Sequence, residues 1–356
     1  MRNELYFISS IFHLLIAALV LASRPDAKAL LVFIRFDKKR YDALLPCCSG
    51  LVGSAEQLLF IEDGNKSAGQ RKRNAKQILA FAESHQVERV FVGNDRHVEF
   101  QYVAYHLRKS FSQLRTAYLD EGLFSYIGRK ASQSFADKWI DQTLKKLVYG
   151  AWWHTPPTIG ASKYIDEAWL AYPDLACSVL QARPIVPLPL QGATSPRFQA
   201  FIGCWAGLYD LPAALDNVDY VLTITDEKNF SRFLDYSQSI RHLVEQLVAQ
   251  GKTIAVKYHP NANGRDLLNL AAVSEQVMVL PSAMPFEVLL PLLSRATLIA
   301  EFSSTLLTSR LLMPNMTVWS IRHAQQTLPL EMQKLLEALA IESHSLDEIC
   351  MKVGSA

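Results

Sequence analysis

Short apolar runs rich in β-branched residues alternate along the chain with longer segments in which apolar positions recur every three or four residues. The short runs read as strands buried on both faces, and the longer periodic segments as amphipathic helices. In the first half the pattern predicts strands at Leu5–Ile8, Leu30–Phe36, Gln57–Ile61, Arg89–Val92 and Thr116–Leu119. Helices are expected between them, at Ile11–Ser23, Gln70–His85 and Glu99–Phe111. The second half repeats the design, with strands at Tyr220–Thr225, Thr253–Tyr258, Val277–Leu280, Thr297–Glu301 and Thr317–Ile321. Its helices are expected at Phe230–Gln250, Pro285–Leu292 and Leu306–Leu312. Strand–helix alternation of this kind predicts an α/β fold with two doubly wound, Rossmann-like parallel sheets, one in each half.

Between the halves the pattern stops. Residues 152–196 hold Pro156, Pro157, Pro173, Pro184, Pro187, Pro189 and Pro196. Proline fixes φ and removes a donor, so this stretch is expected to connect rather than to build sheet. A boundary near residues 184–200 gives domains of 1–190 and 191–356. Such an architecture, with a crevice between two doubly wound domains, suits many glycosyltransferases, some epimerases and periplasmic binding proteins. Leu5–Ala22, LYFISSIFHLLIAALVLA, has an anchor-like composition. Ser9, Ser10 and His13 interrupt it, and the unbroken apolar piece Leu14–Ala22 falls short of the ~20 residues of a spanning helix. A strand, a Ser-Ser turn and a buried helix ending before Pro25 are expected instead, in a cytoplasmic protein.

Composition adds three points. The chain has 356 residues, of which half are hydrophobic, which excludes a disordered protein. Its net charge of +2 gives no sign of a nucleic-acid partner, yet residues 1–150 carry 22 Lys/Arg against 15 Asp/Glu. That basic half suits an anionic acceptor or the cytoplasmic face of the inner membrane, with Lys38, Lys39, Arg40, Arg71, Lys72 and Arg73 as its densest clusters. The five cysteines, with Cys47 and Cys48 adjacent, match no zinc spacing and read as free thiols.

In open α/β sheets ligands bind beyond the carboxyl ends of the strands, so the residues following each strand carry the chemistry. Asp120-Glu121-Gly122 follows Thr116–Leu119, and one carboxylate there faces the crevice while the other points toward a flank or a neighbouring backbone. A carboxylate there suits a general base, or a helix cap with a turn glycine. His259-Pro260 follows Thr253–Tyr258, and a proline-locked histidine can donate to a phosphate. Ser303 and Ser304 lead into a helix, where hydroxyls and free amides form an anion site. Glu287, after Pro281, can hold vicinal ribose hydroxyls or simply match the helix dipole. Lys257 lies on the strand before His259, and Ser10 and His13 follow the first strand. Arg71–Arg73 reads as a solvated helix face, and Trp152-Trp153-His154 as packing.

YLDEG (Tyr118–Gly122), KYHP (Lys257–Pro260) and FSST (Phe302–Thr305) together resemble the three motifs of the bacterial sialyltransferase and polysialyltransferase families. LYFISSIFHLLIAAL and VFVGNDRHVEFQ, Val90–Gln101, also look like parts of those families, so the resemblance runs from residue 4 to about residue 320. It implies a GT-B fold with a central cleft and an inverting, metal-independent transferase. The enzyme would move a nonulosonic acid, sialic acid foremost, from its CMP-activated form to a hydroxyl of lipopolysaccharide or capsule, with no cofactor beyond the donor. It implies Asp120 as base and His259 as phosphate ligand and helper of the leaving group. It also implies Ser303 and Ser304 on the phosphate and Glu287 on the ribose, with Lys257, Pro260 and Pro281 around the donor. Ser10, His13, Glu121 and Gly122 would lie on the acceptor side. The same motifs would serve Kdo, legionaminic or pseudaminic acid. A non-catalytic two-domain binding protein and a UDP- or ADP-sugar transferase are the competing classes. The chain's 15 glycines form no phosphate loop, which disfavours the latter.

Overall fold

The computed structural model describes residues 2–62, 67–128, 145–212, 215–293, 295–323 and 328–354. The chain divides into two compact units, Met1–Cys204 and Trp205–Ala356.

The first unit is built on seven strands: β1 Arg2–Ile8, β2 Ala27–Ile34, β3 Leu58–Ile61, β4 Arg89–Val92, β5 Arg115–Leu119, β6 Glu167–Leu170 and β7 Ile185–Pro187. They lie in the order β3-β2-β1-β4-β5-β6-β7, and every pairing is parallel. The winding therefore reverses between β1 and β4. Helices α1 Ile11–Ala22, α2 Lys38–Val52, α3 Ala68–Ser84 and α4 Val98–Ser110 connect the early strands, and the short α5 Leu123–Ile127 follows β5. α1 is apolar all round and buried from His13 to Leu21, as such a helix must be. It starts where the Ser10 hydroxyl accepts from the His13 amide. Its far end meets the turn Leu190–Thr194 and Arg197, in the first turn of helix α6, Pro196–Ala206. There Arg197 donates to Leu21 O and Leu51 O, and a Cβ on Gly192 would lie 2.6 Å from Leu19 O.

The second unit repeats the winding with six strands, β8 Tyr220–Ile224, β9 Ile254–Tyr258, β10 Val277–Val279, β11 Thr297–Glu301, β12 Val318–Ile321 and β13 Glu342–His344. Their order is β10-β9-β8-β11-β12-β13, again all parallel, with the reversal between β8 and β11. Helices α7 Tyr236–Ala249, α8 Ser304–Leu312, α9 Leu330–Ala338 and α10 Leu346–Gly354 flank it. α7 buries Tyr236, Ile240, Leu243, Val244 and Leu247, one face at helical spacing.

Three expectations are corrected. The proline-rich stretch does build sheet: β6 and β7 both lie in it, and Pro187 is tolerated because β7 is the edge strand. The helix expected from Phe230 begins only at Tyr236, because Asp235 adopts a left-handed conformation, φ 47°, after a 3₁₀ turn at Glu227–Arg232. The cysteines are not all free thiols: Cys47 and Cys204 form a disulfide with Cα atoms 5.5 Å apart, while Cys48, Cys177 and Cys350 stay free. Neighbours on a helix point about 100° apart, so only one of Cys47 and Cys48 can face the partner. Among the described residues no helix is long and apolar enough to cross a membrane.

β1 also carries a charge into the core. Glu4 is fully buried, accepting from Arg24 Nη2 at 2.6 Å and from the Tyr6 hydroxyl at 2.8 Å. Arg24→Ala strands that carboxylate and is expected to lower stability by about 3 kcal/mol. Urea unfolding of the full chain measures it, and a loss below about 1 kcal/mol contradicts the assignment.

Candidate functional site

All strands of a parallel sheet end at one edge, so each unit gathers its post-strand residues along a single line. In the second unit β9-β8-β11 form the centre of that line. His259 follows β9, Asp226 lies just beyond β8, and Ser303 follows β11 by two residues. The His259 amide donates to Ile224 O at 3.0 Å, tying the β9 end to the β8 end. Its Nδ1 accepts from the Asn261 amide at 3.2 Å and stands 3.7 Å from Asp226 Oδ2. With Nδ1 accepting, the ring proton sits on Nε2, which has no protein partner among the described residues. Asn261 also donates through its side chain to Asp226, and that bond holds the Asp226 carboxyl below its ordinary range. Pro260 opens the 3₁₀ turn Pro260–Ala262 and sets the direction of the histidine.

Ser303 is the N-cap residue of α8, yet its side chain makes no capping bond. Its hydroxyl and the exposed Ser304 at the helix start are open to a ligand, at the positive end of the helix dipole. No hydrogen bond joins His259 to either serine. They flank β8, two ladder spacings or about 10 Å apart at the backbone, which leaves room for a group held between them.

Of the other residues singled out from the sequence, Lys257, Trp152 and Trp153 are fasteners. Lys257 is buried, with Nζ donating to Tyr258 O at 2.8 Å and Ser282 O at 2.9 Å. Burial lowers its ammonium to about 8, and nearby Glu287 opposes that shift. It locks β9 to the loop after β10, which Pro281 opens. Glu287 sits in the first turn of the short helix Phe286–Leu289, its carboxyl pushed up by burial. Trp152 and Trp153 pack with Val98, in a buried cluster.

At the same edge of the first unit, Ser9, Ser10 and His13 follow β1, Gly93 follows β4, and Asp120-Glu121-Gly122 follows β5. Asp120 is 1% exposed. Its carboxylate accepts from the Gly122 amide at 2.8 Å, the Ala171 amide at 3.0 Å and the Tyr126 hydroxyl. Burial raises it, and those donors oppose the rise. Gly122 takes φ +73°, a conformation that favours glycine. The Glu121 carboxylate instead meets His13 Nε2, and Ser9 Oγ lies 3.0 Å from His13 Nδ1. The motif Val90–Gln101 supplies two more buried groups. Asp95 accepts from the Gly160 and Ser162 amides, and His97 stands before α4 with Nε2 unpaired.

Sequence reasoning missed two features. Asp226, the partner of His259, follows a strand as the other candidates do, and that position was its only signal. Glu301, the last residue of β11, accepts from the Tyr236 hydroxyl and lies 3.9 Å from His323 Nε2. His323 stacks on Phe233 at 4.0 Å, beside a cavity of about 520 Å³ that they line with Arg322, Ser345 and Asp347. Among the described residues, no group of three or more His, Cys, Asp or Glu is placed to hold a metal ion.

Burial pushes Glu301 from 4.5 to about 7. A raised folded pKa contributes stability that is present below 4.5 and lost as pH rises through about 7. His323, lowered by burial, loses stability in the other direction as pH falls. The difference between the wild type and Glu301→Gln therefore isolates the carboxyl. The wild type is expected to weaken relative to the variant by about 1 kcal/mol per pH unit across that window. Thermal unfolding at several pH values reads this, and parallel curves refute it.

A search of curated proteins gave no match. Solved structures align over the whole fold at low identity. UDP-GlcNAc 2-epimerase from Neisseria meningitidis bound to UDP-GlcNAc is similar at 13% identity and TM-score 0.55, over 100% of this chain and 91% of that one. The S. aureus MnaA–UDP structure is similar at 11% identity and TM-score 0.55, over 100% and 87%. Phytolacca americana UGT2, complexed with UDP-2-fluoro-glucose and pterostilbene, is similar at 12% identity and TM-score 0.52, over 99% and 89%. At these identities the likeness speaks for the two-sheet, Rossmann-like GT-B fold alone. The family model named alpha-2,8-polysialyltransferase matches residues 4–322, which span the Asp120-Glu121, His259 and Ser303-Ser304 strand ends. By that match the chain belongs to the alpha-2,8-polysialyltransferase family, and it is a glycosyltransferase.

Proposed function

We propose that this glycosyltransferase takes a nonulosonic acid, sialic acid foremost, from a CMP-activated donor and delivers it with inversion to a hydroxyl of an anionic surface glycan or glycolipid, in lipopolysaccharide or capsule. The observation that carries the donor half is the free Nε2–H of His259 opposite the uncapped Ser303 at the start of α8. A phosphate between them meets an imidazole, hydroxyls and helix amides. Those donors stabilise the charge that grows on the leaving CMP, which is the requirement for its departure. The Asn261 amide, donating to Nδ1, holds the ring in this tautomer, and the Asn261 side chain is itself tied to Asp226. Glu287 is the group we assign to the ribose.

The acceptor half needs one proton acceptor, which we assign to the acid pair Asp120-Glu121. As the acceptor oxygen bonds to the anomeric carbon, its proton passes to that carboxylate and the carbon–phosphate oxygen bond breaks, with CMP keeping the electron pair. The sugar passes through an oxocarbenium-like state, as in glycoside hydrolysis. The excess of 22 basic over 15 acidic residues in 1–150 supports an anionic acceptor and peripheral contact with the inner membrane.

His259→Ala is expected to weaken CMP binding and to slow transfer from CMP-sialic acid by about 10²-fold, because one contact serves ground state and transition state. Calorimetry with CMP and steady-state kinetics test it together. A variant that binds CMP and turns over like the wild type overturns the donor site, and faster transfer from another CMP-keto sugar reassigns the donor. Since His259 and the serines fill the role of a cation at the phosphate, EDTA is expected to leave the rate within twofold. Activity that returns only with added Mg²⁺ or Mn²⁺ contradicts that.

A further inference from the structure

We propose that Glu121, the second acid of the pair, is the group that takes the acceptor proton, and that His13 positions it. This rests on the transferase reading above.

The two acids leave β5 in opposite directions. Asp120 turns into the protein, where Gly122, Ala171 and Tyr126 donate to both of its oxygens. Those bonds join the end of β5 to the turn after β6. A base must first come within about 2.6–3.2 Å of the proton it takes. With 1% of its surface exposed, Asp120 offers no approach to a sugar hydroxyl unless that fastening breaks.

Glu121 turns toward α1. Oε2 meets His13 Nε2, and Oε1 has no protein donor among the described residues. Its side chain is 18% exposed. His13 itself is buried and held from behind by the Ser9 hydroxyl on Nδ1. If Ser9 donates to Nδ1, the ring proton lies on Nε2 and faces the carboxylate. The chain Ser9 to His13 to Glu121 thus fixes one carboxylate oxygen and leaves the other for the acceptor. The end of β4 closes the third side. A Cβ on Gly93 would fall 2.1 Å from His13 Nε2 and 2.7 Å from Glu121 Oε2, so only a residue without a side chain fits. β1, β4 and β5 meet here, at the point where the sheet reverses its winding. That is where an open α/β sheet binds its ligand.

In the transfer step the acceptor O–H breaks and its proton goes to Glu121 Oε1. The oxygen's electron pair forms the new bond to the anomeric carbon, and the bond to CMP breaks with its electrons leaving on the phosphate. His13 stays bonded to Oε2 throughout and exchanges no net proton.

The test uses the full chain with CMP-sialic acid and a sialylated oligosaccharide acceptor. Glu121→Gln is expected to lose about 10²–10⁴ in kcat, with its melting temperature and CMP affinity unchanged. Asp120→Asn is expected to melt at a lower temperature and, below that temperature, to keep a kcat well above that of Glu121→Gln. His13→Ala should lower kcat with KM little changed. His13→Gln, which keeps an amide donor for Oε2, should recover most of that loss, an effect that mere filling of space does not give. A Glu121→Gln variant within twofold of wild type, or a folded Asp120→Asn variant that is the less active of the two, places the base elsewhere and overturns the proposal. A wild-type protein that binds CMP but transfers from no CMP-keto sugar overturns the transferase reading itself, and this assignment with it.

Discussion

A parallel sheet sends every carboxyl end to the same edge, and the rest of this structure follows from that. With strand order 3-2-1-4-5-6 in the second unit, and the same order extended by a seventh strand in the first, the connections after the first and fourth strands leave toward opposite faces. The sheet edge between them stays uncovered. In the first unit that gap is between β1 and β4, where His13 and Gly93 lie. In the second it is between β8 and β11, where Asp226 and Ser303 lie. Side chains distant in sequence meet there without any special loop, because short turns after central strands have nowhere else to go.

A buried edge imposes a second constraint. Each polar group near it must find a partner or carry the cost of desolvation. Lys257 on two carbonyls, Asp95 on two amides and Asp120 on the amides of Gly122 and Ala171 meet that demand. They are strand-end residues of the types that do chemistry, yet their polar atoms are saturated by backbone. His259 Nε2 and Glu121 Oε1 differ in being a partner-free atom next to a held one, and Ser303 Oγ makes no capping bond. The held atom sets direction and the free one is left for a ligand. That contrast separates side chains used up as fasteners from those with an atom still open to a ligand. Burial raises the carboxyls of both Asp120 and Glu301, although one is bonded at both oxygens and the other is tied to Tyr236.

The fold was legible because core strands here are nearly all apolar and β-branched. Arg89–Val92 and Thr297–Glu301 begin and end where the pattern puts them. α2 was not, since its polar face and internal Pro46 mask the period. β7 was hidden by Pro187, which its edge position tolerates, and β6 by the prolines that follow it. The site was legible as strand ends but not as atoms. Which of Asp120 and Glu121 turns into the protein and which turns toward α1 is decided in the turn after β5, where Gly122 takes φ +73°. Alternation along β5 ends at Leu119 and says nothing beyond it. The disulfide joins residues 157 apart, and no local pattern pairs Cys47 with Cys204 rather than Cys48.

The N-terminal segment shows how one physical demand serves two ends. Its run of apolar residues is long enough in composition to suggest an anchor, and Ser9, Ser10 and His13 are what break it. Those interruptions are not scattered. They fall in the turn between β1 and α1 and in the helix's first turn, where backbone amides lack partners and polar side chains stabilise the start. Ser10 caps the His13 amide, Ser9 bonds the His13 ring, and the ring reaches Glu121. From Leu14 to Leu21 the helix is fully apolar because it lies wholly inside the first unit. A buried helix with polar groups only at its first turn can direct them nowhere but along the sheet edge. The residues that spoil the membrane pattern are therefore the ones that hold the Glu121 carboxylate.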